Sequence, residues 1–236
     1  MNKVKIFDFD IDCFYSMDHA VQSIINNYLN DANIAVAINP EKILSSISNS
    51  DTYKAVEVAD IRYLDGIGTV KLAEKKLNKK LCRIPGCELW ENLMIEAGKN
   101  NISVYILGAD KAVVEKTVAK LNNYNVNVVG YHDGYFLDDD QMIQEIIDTR
   151  PKILSVALGS PRQEIFMKRC RELGANFFMM GVGGTYNVFT GNVKRAPESW
   201  CKLNLEWLYR LLSEPTRLKR QLKLLKFVEL AYRGKI

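Results

Sequence analysis

Histidine is nearly missing: His19 and His132 are the only two in 236 residues. That leaves few candidates for a His-based metal site. The five cysteines, at 13, 82, 87, 170 and 201, include one close pair, Cys82 and Cys87, without zinc-knuckle spacing. Their odd count and the length of the chain argue against a disulfide framework, so they read as free thiols of a reducing compartment. Gly (14) and Pro (6) are not enriched, which argues against long disordered tracts. No apolar run reaches the roughly 18 residues that span a bilayer. The opening MNKVKIFDFD has no apolar signal region. A soluble or peripheral protein is expected.

What is present is ordinary for a globular chain: 47% hydrophobic and 25% charged residues. The length suits one large α/β domain, or a domain plus an appendage. The net charge of +4 hides an asymmetry. Residues 195–236 carry 10 Lys+Arg against 4 Asp+Glu, and the rest carries 22 against 24. A basic tail suits a polyanionic partner, either nucleic acid or an anionic membrane.

Apolar runs at 4–9, 33–38, 61–64, 102–107, 126–130, 153–158 and 177–182 predict strands. Helical patterns lie between most of them, at 18–29, 40–48, 88–98, 111–122, 138–148 and 162–173. This alternation predicts an α/β fold: a Rossmann-like, mostly parallel sheet with helices on both faces. Ligands of such sheets bind beyond the strand C-termini. The dinucleotide fingerprint is absent, because DGIGTV lacks its third Gly. After GVGGTYNVFTG (181–191) the alternation stops, and helices at 199–212 and 216–232 follow with a break near Pro215. The expected division is a Rossmann-like domain of 1–194 and a basic helical appendage of 195–236.

Several junctions carry candidate chemistry. Asn39 in NPEKI suits a helix N-cap with Pro40 at the first position, and it also sits where a ligand would. Asp65 in YLDGIG belongs to a common Asp-Gly turn, yet a carboxylate there faces the crevice as a candidate general base. In VALGSPRQEIF, Ser160 as N-cap, Pro161 at N1 and Gln163 at N3 form a capping box. Glu164 suits the helix dipole, Arg162 is unexplained, and the helix N-terminus aims an anion site at the crevice. Glycines 181, 183, 184 and 191 let backbone approach a ligand closely.

FDFDID (Phe7–Asp12) reads as an edge strand with alternating charge. It also resembles the haloacid-dehalogenase phosphatases, with Asp8 as nucleophile and Asp10 as acid/base, or a DxD metal motif. Ile11-Asp12 stands where those phosphatases have Gly-Thr or Gly-Val. In the tail, Leu218, Leu222 and Leu225 share a helical face among Arg217, Lys219, Arg220, Lys223 and Lys226. That pattern suits anionic lipid. No nucleic-acid-binding module is found, so nucleic acid is not the expected partner.

Taken in order, NPE (39–41), DGIG (65–68), LG (107–108), GYHDGYF (130–136), LGSPRQE (158–164), GVGGTYNVFTG (181–191), RAP (195–197) and LEWLYRLLSEPTRLKR (205–220) cover nearly the whole chain. Together they resemble the WecG/TagA/CpsF glycosyltransferases, glycosyltransferase family 26. The resemblance implies the GT-E variant of a Rossmann-like fold, with a C-terminal appendage at the cytoplasmic face of the membrane. It implies inverting transfer of an N-acetylmannosamine-type sugar or related hexose from UDP to a sugar on polyprenyl diphosphate. Such products feed teichoic acid, enterobacterial common antigen, capsule or exopolysaccharide. No metal or cofactor is implied, and a homo-oligomer is left open.

By position, Asp65 matches the general base of that family, and Asn39 and Gln163 match positions near the donor sugar. Arg83 matches a basic position near the site, and Gly183 and Gly184 lie in the matching glycine loop. Arg210, Arg217 and Arg220 match appendage arginines over the donor diphosphate. Without a metal, guanidinium groups and helix N-termini would neutralise that leaving group. Two departures stand out: Ala37 where the family has Thr, and Tyr186-Asn187 where many members have Phe-Asp. They motivate an alternative, a non-catalytic, membrane-docked partner of a polysaccharide assembly.

Overall fold

The computed structural model describes residues 2–202, 205–213 and 218–236, without the side chains at 198, 202, 210, 213 and 218–223. It opens with a hairpin, β1 (Asn2–Ile6) and β2 (Phe9–Cys13), paired antiparallel with Ile6 opposite Phe9. The single strand expected at 4–9 is thus broken: Phe7 takes φ 54° and the chain reverses there. No Gly or Asn marks that turn, and it is these residues that usually signal a hairpin.

From there strands and helices alternate. After α1 (Met17–Asn27) comes β3 (Ile34–Ile38), then α2 (Pro40–Ser48), α3 (Ser50–Glu57) and β4 (Ile61–Leu64). Next are α4 (Ile67–Leu77), α5 (Gly86–Lys99), β5 (Ser103–Gly108), α6 (Lys111–Leu121) and β6 (Asn127–His132). The sheet is completed through α7 (Asp139–Thr149), β7 (Ile153–Ala157), α8 (Arg162–Glu172) and β8 (Phe178–Gly181). Then come α9 (Thr185–Phe189), α10 (Glu198–Lys202), α11 (Glu206–Ser213) and α12 (Leu218–Tyr232). The helix expected at 199–212 is two helices, and the break expected near Pro215 lies outside the described residues.

The eight strands form one sheet in the order β1-β2-β4-β3-β8-β7-β5-β6, parallel except for β1 against β2. Side-chain alternation sends each inner strand to two cores. Ile34, Val36 and Ile38 of β3 face α2, α3, α4, α7, α8 and α12, while Ala35 faces α1, α5, α6 and α9. Helices therefore cover both faces, as the near-continuous apolar strands require. Phe227 of α12 is buried in the first core, beside α2 and Gly68, and Ile236 joins it. Burial of the Phe227 ring is worth about 2–3 kcal/mol. Among the described residues no helix is long and apolar enough to cross a membrane.

The strand order β4-β3-β8-β7 brings four strand ends together at the carboxyl edge. Asp65, Asn39, the 182–184 loop and the Gly159–Ser160 turn leave that edge side by side. The β1–β2 turn lies at the opposite edge, because β2 runs parallel to β4 and begins there. Asp8 is in that turn and Asp10 near it, which removes both from the crevice and with them the phosphatase reading. Asp12 is buried, 3.5 Å from Lys3 Nζ, and accepts the Arg62 N–H at 3.0 Å.

Candidate functional site

Asn39 caps α2 as its position predicts: in extended backbone, its Oδ1 accepts the Lys42 N–H at 2.9 Å. This fixes the amide, since Oδ1 is committed and Nδ2 is the end turned away from the cap. The neighbouring β4–α4 turn presses against it. A Cβ on Gly66 would stand 2.8 Å from Asn39 Cβ, and one on Gly68 would stand 2.8 Å from Pro40 Cγ. Only glycine permits that approach. The Asp65 N–H bonds the Ile38 carbonyl at 3.1 Å, which keeps Asp65 beside the end of β3.

The Asp65 carboxylate accepts the Gly86 N–H at 3.2 Å, at the start of α5, where a helix dipole favours negative charge. Arg83 approaches from the loop between α4 and α5. Its Nε donates to the Asp65 carbonyl at 2.6 Å and its Nη2 to Glu206 Oε2 at 3.1 Å. Beneath them, the buried Tyr63 hydroxyl has no hydrogen-bond partner among the described residues. Burial, then the nearby Asp65, pushes its phenol well up.

The β7–α8 junction departs from the expected capping box. Helix α8 starts at Arg162 after Pro161, with no side-chain cap. Ser160 Oγ instead accepts Lys42 Nζ at 2.6 Å. Gln163 reaches across to the glycine loop: its Oε1 accepts the Gly183 N–H at 2.9 Å. Its Nε2 donates to Glu164 Oε1 at 2.8 Å, and Lys42 Nζ lies 2.6 Å from that same oxygen. Gly183 has φ 52°, and a Cβ on Gly181 would stand 2.7 Å from Gln163 Nε2. Nothing lies within 4 Å of a Cβ built on Gly184. Arg162 does not follow Gln163. It turns to the β6–α7 loop, donating to the Gly134 carbonyl at 2.8 Å and lying 4.8 Å over the Phe136 ring.

The sequence brought Asn39, Asp65, Arg83, Gln163, Gly183 and Gly184 to one edge, and the structure places them there. Arg217 lies outside the described residues, as do the side chains of Arg210 and Arg220. Ala37 is half-buried on β3 beside Tyr63 of β4. Tyr186, where Phe is common, finds a polar partner, its hydroxyl 2.8 Å from Ser155 Oγ. Lys42 and Glu206 escaped sequence reading. A lysine and a glutamate on amphipathic helices read as solvated, yet both are buried here. Their signal was position only: Lys42 is three residues past Asn39, and Glu206 lies inside the LEWL segment. Among the described residues, no three His, Cys, Asp or Glu side chains gather as metal ligands.

A carboxylate at a helix start, an arginine bridging to α11, and a glycine loop clamped by an amide fit polar-ligand chemistry. The chain matches the family model "Glycosyl transferase WecG/TagA/CpsF family" over residues 4–236. It belongs to that family. As a WecG/TagA/CpsF member it is a glycosyltransferase of the type used in cell-surface polysaccharide synthesis, with a sugar donor and an acceptor substrate. The match runs through α11 and α12, so the family's chain includes the segment that carries Glu206.

Proposed function

We propose that this glycosyltransferase transfers an N-acetylmannosamine-type sugar, or a related hexose, from UDP to a sugar on polyprenyl diphosphate, with inversion. The observation that carries the reading is the Asp65–Arg83 junction, which lies beside Asn39 on the same carboxyl edge as the Gln163–Gly183 clamp. Asp65 takes the proton of the acceptor hydroxyl as that oxygen attacks the anomeric carbon. The bond to UDP breaks with its electron pair leaving on the diphosphate. Asn39 offers Nδ2 to the donor sugar, and Gln163 holds the loop against which it rests. The N–H of Gly184 and the starts of α2 and α8 face the leaving charge, while Gly183 N–H stays bound to Gln163. Arg83, Arg210, Arg217 and Arg220 supply guanidinium groups there in place of a metal.

In this reading residues 1–194 form the catalytic domain and 195–236 an appendage that docks on the anionic cytoplasmic face of the membrane. Leu225, Val228 and Tyr232 are exposed on α12 at one-face helical spacing, with Lys226 among them. The test is a panel of UDP-sugars with a short-chain polyprenyl-diphosphate sugar, with and without EDTA. Product and UDP are expected in both conditions, with turnover lowered about 10²–10⁴-fold in Asp65→Asn. No product and no UDP from any donor would sink it. Ala37 and Asn187 favour a second reading, a non-catalytic docked partner. That reading expects liposome binding without turnover, and turnover abolished by Asp65→Asn removes it.

A further inference from the structure

We propose that the buried Lys42–Glu164 pair is the positioning device of the sugar-nucleotide side of the site. It sets which way the Gln163 amide faces and, through it, holds the Gly183 turn. The inference rests on reading this edge as a sugar-nucleotide site.

Lys42 is 6% exposed and Glu164 1%. Burying two charges costs desolvation that their attraction roughly offsets, so such a pair is weak support for stability. What it supplies here is orientation. A glutamine amide can present either end, and the two ends have opposite hydrogen-bonding sense. Beside the Glu164 carboxylate only the N–H end fits, so Nε2 donates there at 2.8 Å. Oε1 must then face the Gly183 N–H, which it meets at 2.9 Å. Lys42 Nζ holds Glu164 Oε1 and Ser160 Oγ, both at 2.6 Å. The other carboxylate oxygen, Oε2, is buried with no hydrogen-bond partner among the described residues. The backbone of the same Lys42 is bonded by Asn39 Oδ1. One residue therefore links the strand end carrying Asn39 to the loop carrying Gly183.

Removing one partner would strand a buried charge and strongly destabilise the chain, so both are replaced together. K42M/E164M removes both charges at similar volume. K42M/E164Q restores, without the charge, an amide oxygen that can accept from Gln163 Nε2. The primary readout needs no substrate: hydrogen exchange by mass spectrometry on peptides covering Gly181–Tyr186, beside urea midpoints and calorimetry with UDP. In K42M/E164M the loop is expected to exchange about tenfold faster and UDP to bind about tenfold more weakly, the scale of one charge-assisted hydrogen bond. The urea midpoint should stay near the wild type. K42M/E164Q should recover most of the loop protection.

Wild-type protection in K42M/E164M, or equal losses in both doubles, overturns the proposal, the second outcome marking a packing effect only. Should neither double fold, amide exchange in the wild-type chain decides. Gly183 N–H exchanging far more slowly than Gly184 N–H supports the clamp, and equal rates overturn it. Absence of turnover in the wild type would sink the transferase reading and leave the exchange result standing.

Discussion

Arg83 and Glu206 meet across 123 residues of sequence, Nη2 to Oε2 at 3.1 Å. The same guanidinium holds the Asp65 carbonyl through Nε at 2.6 Å. One rigid fork thus ties the loop bearing the proposed base to α11.

Lysine carries the charge but not the fork. Arg83→Lys is therefore expected to lower kcat/KM at least about tenfold, from loss of one charge-assisted contact. Glu206→Ala leaves Arg83, whose side chain is 19% exposed, without its buried carboxylate. It should cost about 2–4 kcal/mol in urea unfolding. Steady-state kinetics and urea curves check both, and a Glu206→Ala protein as stable as the wild type would show the pair to be ornamental.

The glycines of the β4–α4 turn set the spacing between Asp65 and Asn39. Gly66→Ala puts a methyl 2.8 Å from both Asn39 Cβ and Pro40 Cδ, atoms fixed to the backbone. Relief requires the turn to move, at a cost of about 1–3 kcal/mol. Turnover should fall with it, because the base and the amide separate. Gly184→Ala is the contrast: nothing lies within 4 Å of its Cβ, so stability should change by less than about 0.5 kcal/mol. Thermal unfolding of the two variants separates these outcomes, and equal shifts would refute the close-packing account.

The sheet and the ordering of the site were legible because periodicity and strand ends are local signals. The β3 and β4 runs, and Asn39 and Asp65 after them, need only a few residues of context. The hairpin was not legible, because Phe7 adopts a left-handed turn with no residue that advertises one. Helix α3 has only eight residues and follows α2 across Asn49 alone, so no Gly or Pro marks it off as a separate element. Ser160 looked like a cap because its true partner, Lys42, lies 118 residues away. Buried ion pairs such as Lys42–Glu164 and Arg83–Glu206 have no periodic signature; only the folded chain makes them neighbours.

The thiols are predicted to be sluggish. Burial pushes Cys170 far up, raises Cys82, and raises Cys13 with help from Asp12. Since the thiolate is the nucleophile, near neutral pH the native chain should alkylate at Cys13 and Cys170 more than about tenfold slower than in urea. Raising the pH toward the shifted values should speed the reaction. Peptide mass spectrometry after iodoacetamide pulses reads this directly. Cys170 labelled at its unfolded rate would mean that α8 is not packed as described.

Docking of the tail can be separated from its folding. Cutting the chain after Arg195 would remove Phe227 and Ile236 from the core, each side chain worth about 2–3 kcal/mol when buried. Lost activity in such a truncation would say nothing about a membrane. Replacing Lys219, Arg220, Lys223 and Lys226 with Gln leaves those apolar anchors in place. Each basic residue near an anionic surface is worth about 1 kcal/mol. The fourfold variant should therefore keep its urea midpoint while losing most of its co-sedimentation with phosphatidylglycerol liposomes. Wild-type binding should itself weaken as salt is raised, because screening acts over about 8 Å at physiological ionic strength. Replacing Leu225, Val228 and Tyr232 with Ser should weaken binding even at low salt, since these residues supply the exposed apolar face. A neutralised tail that still binds like the wild type, at any salt, would remove charge from the docking mechanism and leave only the apolar face to account for it.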